Sequence, residues 1–405
     1  MRAFLFISTQ LIPQPNHLSN IHQSLLNSQR QFNPIRKHTM SGKEIMFTPT
    51  KLGAIGIKNR LVMAPLTRMR AVAGDVPNPL AKTYYSQRAS AGLIITEATQ
   101  ISALGMGYPA TPGIYSAEQT AAWKEIVDAV HAKGGAIVAQ LWHVGRISHS
   151  SLHPQEGLPE APSAIAPAGQ TYGADWKLHD YETPKAMTES DIARLLQEFK
   201  QAAQNAKTAG FDGVEIHSAN GYLLDQFLQD QTNHRSDQYG GSIENRIRLL
   251  GEVIEAVSTV YSSDRIGVRL SPYGSFNDIA DSDPVALFTA VIHKLNTYGL
   301  AYLHMIEPRS TSAGGNDQHD EAAPVTSELF RALFKGKFIT AGGYDQALGE
   351  KVLEEGLADA VAYGRIYIAN PDLVERFQQN APLNPYNRKT FYGGGEAGYT
   401  DYPSL

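Results

Sequence analysis

Cysteine is absent from all 405 residues of the chain, and that one gap removes disulfides, thiolate zinc sites and cysteine-ligated iron–sulfur clusters from consideration. No apolar run approaches the roughly 18 residues that a membrane-spanning helix needs. Basic charge is not in excess either. The 35 Lys and Arg stand against 40 Asp and Glu, a formal net charge of -5, so no positive field invites nucleic acid or an anionic membrane. A further shortage is local: up to the second methionine, Met40, there is no Asp or Glu, while Arg2, Arg30, Arg36 and Lys37 are present. Such a segment fits an organelle transit peptide or a start assigned too far upstream. Residues 1–40 are therefore read as an extension, disordered or outside the mature protein, and 41–405 as one domain. The whole chain is 42% hydrophobic and 19% charged, the balance of a soluble globular chain acting on small molecules. The expectation is a cytoplasmic monomer or homodimer, with no nucleic-acid or membrane partner and no metal.

What is present alternates. After a glycine-punctuated hairpin over 47–58, strands are predicted at 60–64, 93–96, 136–141, 213–216, 266–270, 302–306, 337–340 and 358–363. Helices are predicted between them. Ser116 with Gln119, and Thr188 with Asp191, have the spacing of capping boxes. Pro284 after Asp283 suits a first helical turn, and one helix is expected over 243–261. Eight strands separated by helices predict parallel pairing with crossover connections, and a closed (β/α)8 (TIM) barrel is the natural solution. An open doubly wound sheet is the fallback, but no Gly-x-Gly-x-x-Gly follows the first strand. The Pro-, Gly-, Ser- and His-containing stretch at 145–185, after strand three, is long enough to expect a functional role.

Polar residues interrupt the strands at their C-terminal edges: Thr67, Glu97, Gln140, His217 with Asn220, Arg269, Gly342 with Gly343, and Gly364 with Arg365. In a barrel these edges form one rim, the end that carries active sites. If the chain enters a helical turn after His217, the spacing of three puts His217 and Asn220 on one face, two neutral donors able to polarise a carbonyl or nitro oxygen. Tyr222, with an ordinary pKa of about 10, adds a protonated phenol beside them. The glycines after strands seven and eight allow backbone N–H groups to approach a phosphate, with Arg365 supplying charge. Gln140 can read a planar heterocycle's edge, and Arg269 in the mouth needs an anion or a salt bridge to Glu97 or Glu215.

These residues, with Pro65 Leu66 Thr67 Arg68, Gln140 Leu141 Trp142 His143, Asn245 Arg246 and Ala369 Asn370 Pro371, closely resemble the old yellow enzyme family of FMN-dependent ene-reductases from about Phe47 onward. The tail from Phe391 to Pro403 is similar to the N-ethylmaleimide, pentaerythritol tetranitrate and morphinone reductase branch. Asn220 stands where the family varies between histidine and asparagine, so the branch assignment is mixed. The resemblance implies FMN across the barrel mouth and NADPH or NADH as reductant. It implies contacts to FMN from Pro65, Leu66, Thr67, Ala98, Gln140, His217, Arg269, Gly342, Gly343, Gly364 and Arg365. His217 and Asn220 would bind the oxygen of an α,β-unsaturated carbonyl or nitro compound, and Tyr222 would protonate the α-carbon. Trp142, Tyr108 and Tyr392 would shape the pocket, nitrate esters would be further substrates, and the 145–185 loop would set nicotinamide preference. Two other functions compete. An aldolase or isomerase on the same barrel would want a Schiff-base lysine or a carboxylate base at a strand end, and no rim lysine is visible; a flavin-binding sensor would not need Tyr222.

Overall fold

The computed structural model describes residues 40–311 and 316–405. The expectations for 1–39 lie outside the described residues. Eight parallel strands close into a barrel in chain order: β1 (Leu61–Met63), β2 (Leu93–Gln100), β3 (Ile137–Trp142), β4 (Gly213–His217), β5 (Ile266–Leu270), β6 (Tyr302–Ile306), β7 (Lys337–Ala341) and β8 (Ala360–Tyr363), which pairs back onto β1 through Val361 and Leu61. The expected (β/α)8 barrel is the fold.

Each strand sorts its side chains by the period of two. Leu61, Met63, Ile137, Ala139, Val214, Ile216, Val268 and Leu303 belong to the large core shared with the helices. Val62, Leu93, Ile95, Val138, Ile339 and Ala360 fill the barrel. The antiparallel pair Thr50–Leu52 and Ile55–Ile57 contributes Leu52, Ile55 and Ile57 to that interior and so plugs its N-terminal end. Higher up the inward positions turn polar, and this transition defines the site.

The helices start where their caps predicted. Ser116 opens Ala117–His131 and Thr188 opens Glu189–Ala209, each with both bonds of a capping box. The helix expected over 243–261 is instead two, Ile243–Arg246 and Arg248–Ser258, broken at Ile247. Strand β2 runs four residues beyond its expected end, with a register shift against β3 between Ile95 and Ala98. Such a bulge re-aims the side chains that follow it. The loop after β3 is not structureless. Glu160–Ala161 pairs with Lys185–Ala186, and Gln170–Tyr172 forms a hairpin with Leu178–Asp180.

The C-terminal segment is tied to the loop after β1. Arg68 donates through Nε to the Phe391 carbonyl (2.9 Å) and through an Nη to that of Gly398 (2.7 Å). Arg70 donates to Thr390 (2.9 Å) and Gly395 (3.2 Å). The Tyr84 and Tyr399 rings stack at 4.2 Å, and the Arg68 guanidinium lies over both. Among the described residues no helix is long and apolar enough to cross a membrane.

Candidate active site

Because β4 alternates, Glu215 and His217 both point inward, and register brings Glu215 beside Gln140 and His217 beside Arg269. Glu215 is fully buried. It accepts Gln140 Nε2 at 2.8 Å, and His304 Nδ1 lies 2.9 Å from its other oxygen. The carboxylate has no proton to give, so His304 donates from Nδ1. His304 is held below the usual histidine range by burial, while His304 and Arg269 nearby hold Glu215 ionised against its own burial. One amide donor of Gln140 is thereby committed, and its carbonyl oxygen is left for a ligand.

Arg269 is half-buried, and no ion pair joins it to Glu97 or Glu215 among the described residues. Its Nε is buried without a hydrogen-bond partner. Glu97, expected on the rim, faces away after the β2 bulge. It accepts the Arg68 backbone N–H at 3.1 Å, and burial pushes its pKa up to about 7.

One residue pair above this layer is the proposed reaction centre. His217 is buried, its Nδ1 unpartnered, and burial first, then Arg269 and His304, drive its pKa well below the usual value. The imidazole is neutral at physiological pH. Its ring lies 5.1 Å from that of Tyr222, edge to face, and 6.5 Å from that of Trp142. Burial pushes Tyr222 up to about 12, so the phenol keeps its proton. Tyr108 places its hydroxyl 3.3 Å from that of Tyr222 and stacks on Trp142 at 6.0 Å. Ala98, Trp142, Val144, Ile147 and Tyr222 form one apolar cluster with Tyr108 and Tyr181 against it. Tyr392 approaches from the C-terminal segment, close enough to raise the pKa of both Tyr108 and Tyr222.

The chain does not pass from His217 to Tyr222 through a helical turn. Asn220 is left-handed (φ 58) and Gly221 likewise (φ 75), and the helix begins only at Leu223. The loop is fixed instead by backbone bonds: the Asn220 N–H donates to Ser271 Oγ at 2.7 Å, and Asn277 Nδ2 donates to the Asn220 carbonyl at 2.8 Å. Asparagine tolerates that conformation better than other side-chain-bearing residues, which frees the strand end to turn sharply.

Pro65, Leu66 and Thr67 line the exit of β1, half-buried, and Ala98 on β2 is buried in the aromatic cluster. Beside the β1 exit, Gly342 (φ 110) and Gly343 (φ 68) expose backbone after β7, and Gly364, next to Leu66, precedes the short helix Arg365–Ala369. Arg365 reaches this side but is engaged: it donates to the Asn316 carbonyl and pairs with Asp317 at 3.1 Å. Asp317 also binds Arg388 and Tyr386 of the C-terminal segment. A second guanidinium sits here that the sequence reading passed over. Arg309 donates from Nε to the Gly342 carbonyl at 2.9 Å, and one of its Nη atoms is buried without a partner. Its signal was the polar Glu307-Pro308-Arg309 directly after β6, the same strand-end logic applied elsewhere.

A planar, partly anionic group fits these residues: an orphaned Arg269 Nε, a free Gln140 carbonyl, and a glycine cradle beside two guanidiniums. The model of the NADH:flavin oxidoreductase / NADH oxidase family matches residues 45–384. The chain belongs to that family, the old yellow enzymes. A putative 12-oxophytodienoate reductase 11 of Oryza sativa subsp. japonica is 47% identical over 370 residues, covering 90% of this chain and 99% of the relative. The 12-oxophytodienoate reductase 2 of Arabidopsis thaliana is 46% identical over 366 residues, 89% and 96% of the two chains. The structure of morphinone reductase in complex with tetrahydroNAD superposes with a TM-score of 0.82 at 48% identity, covering 89% of this chain and 97% of that one. This old yellow enzyme is thus an FMN-dependent oxidoreductase with a nicotinamide reductant.

Proposed function

We propose that this old yellow enzyme reduces the C=C bond of α,β-unsaturated carbonyl or nitro compounds. The observation that carries the reading is the His217 imidazole set edge to face with the Tyr222 phenol, rings 5.1 Å apart, in a buried aromatic pocket whose burial favours the neutral imidazole and the protonated phenol. FMN, when bound, supplies the hydride that reaches the β-carbon. The residues proposed to hold it are Pro65, Leu66, Thr67, Ala98, Gln140, Arg269, Gly342, Gly343, Gly364 and Arg365, to which Arg309 is added. His217 and Asn220 bind the substrate oxygen and lower the energy of the enolate-like transition state, because neutral donors in a water-excluded site need no reorganisation as charge develops. Tyr222 gives its proton to the α-carbon, and Trp142, Tyr108 and Tyr392 wall the pocket.

The test is an anaerobic visible spectrum of the purified protein titrated with NADPH and then with 2-cyclohexenone. The expected result is a flavin band that bleaches and then returns. Bleaching without return with any activated alkene would overturn ene-reduction and favour a sensing role.

A further inference from the structure

Glu215 carries a charge to which the proposed reaction assigns no task. The side chain is fully buried in the barrel, where other inward positions hold Ile95, Val138 and Ile339. An apolar residue would close the interior there at little cost in stability, because a buried ion pair rarely repays its desolvation. Stability does not account for the carboxylate.

Its surroundings are built around it. Both oxygens accept hydrogen bonds, one from Gln140 Nε2 at 2.8 Å and the other from His304 Nδ1 at 2.9 Å. On β5 the residue paired with Glu215 is Gly267, and the Tyr302 ring fills the space beside it, within 2.3 Å of where a Cβ would stand. Glu215 adds to burial in raising the pKa of that phenol, so the carboxylate has a protonated hydroxyl for a further neighbour. Arg269 follows Gly267 by two residues, roughly 7 Å along the strand. The attraction acts in both directions: Arg269 helps to keep Glu215 ionised, and Glu215 helps to keep Arg269 charged against its own burial. The Arg269 Nε still has no hydrogen-bond partner, so its charge is offset without being tied up.

Two consequences reach the mouth of the barrel. A carboxylate accepts and cannot donate, so Glu215 dictates that the amide end of Gln140 faces inward and leaves the carbonyl end for the N–H edge of a planar ring. Hydride transfer to FMN adds one unit of negative charge opposite Arg269, and Glu215 decides how much of the guanidinium charge is available to balance it. We propose that Glu215, held by His304, is a positioning residue for the flavin, fixing the orientation of Gln140 and restraining the reduction potential through Arg269. This inference rests on the reading that Gln140 and Arg269 face the flavin.

The experiment measures the reduction potential of the FMN-loaded protein against a reference dye without oxygen, and FMN dissociation by fluorescence. Glu215→Gln removes the charge and keeps the shape. It should favour the reduced state about tenfold, a rise of about 30 mV for a two-electron couple, and weaken FMN about 2- to 10-fold as Gln140 becomes free to turn over. Glu215→Asp, which keeps the charge, should hold the reduction equilibrium within about twofold of wild type. His304→Leu removes the donor that keeps Glu215 ionised and should raise the potential too, whereas His304→Asn, whose amide can donate in its place, should not. These two variants carry the test if Glu215→Gln fails to retain FMN. An unmoved potential in Glu215→Gln and His304→Leu, with a change in Tm alone, would reduce the network to a structural one and refute the inference. Arg269→Gln is the control and should lower the potential. If it does so while the Glu215 and His304 variants stay indifferent, only the present inference falls; if it too changes nothing, the flavin does not face these residues and both readings fall. The measurement uses no alkene, so failure of ene-reduction would leave its result standing.

Discussion

Removing the Tyr222 hydroxyl by Tyr222→Phe isolates the protonation step. The ring packs among Trp142, Val144 and Ile147, so phenylalanine keeps the apolar contacts and loses only the oxygen. Among the described residues, the phenol within hydrogen-bond distance of that oxygen is Tyr108, at 3.3 Å. A positioned general acid contributes ~10²–10⁴-fold, about 3–5 kcal/mol of barrier. Tyr108 stands close enough to deliver a proton in its place, so the loss should lie at the low end, about 10²-fold, and Tyr108→Phe with Tyr222→Phe should approach the high end. Stopped-flow absorbance separates the half-reactions. Reduction of the flavin by NADPH should proceed near the wild-type rate, while reoxidation by 2-cyclohexenone slows. The wild-type reoxidation rate should be flat with pH into the alkaline range, since the donor pushed up to about 12 stays protonated well below that value. Equal slowing of both half-reactions, or none, would refute Tyr222 as the donor.

Three further outcomes follow from the same geometry. Arg365→Ala should weaken FMN about 10- to 100-fold in a fluorescence titration of apoprotein, the worth of one charged hydrogen bond, and leave riboflavin binding nearly unaltered. Equal loss for both flavins would remove the residue from the phosphate. Gly342→Ala forces a left-handed φ of 110 and sets a Cβ 2.7 Å from the Glu307 carbonyl oxygen, backbone that cannot yield; the variant should purify with substoichiometric FMN and a lower Tm, and full occupancy would argue that no ligand uses this turn. His143 is held down to about 3 by burial, with His153 and Arg194 adding to it. Its folded value lies below the unfolded one of about 6.5, so its contribution is present above pH 6.5 and is lost at about 1.4 kcal/mol per unit as pH falls toward 3. His143→Asn should flatten the acid limb of the Tm profile between those values, and an unchanged limb would show that other groups set it.

Strand periodicity and helix caps made the barrel legible, because both are local: the Thr188–Asp191 box is recognised and formed within four residues. The rim was legible for the same reason, since a strand's last inward residue follows from its alternation. Failures came where a distant partner decides. Glu97 reads as rim until the register shift at Ile95 and Ala98 turns it toward Arg68. Asn220 reads as helical until Ser271 and Asn277, some fifty residues on, hold it left-handed. Arg365 and Asp317 meet only because β6 and β8 flank the same edge, and no spacing along the chain announces the pair. Arg309 could have been found by applying the strand-end rule to β6, where hydrophobicity alone had marked the strand.

The clasp of Arg68 and Arg70 on the C-terminal segment bears on the order in which the molecule is made. The carbonyls of Phe391 and Gly398 are more than 320 residues away in sequence from the guanidinium of Arg68 that they satisfy. During synthesis at about 5–20 residues per second, the loop next to Thr67 emerges long before those carbonyls exist, and its arginines must wait unsatisfied in water. The first segment proposed to touch the flavin is consequently among the last to become rigid. The clasp therefore predicts late cofactor capture: trimming residues 391–405 should lower FMN occupancy of the purified protein while leaving the eight strands to assemble.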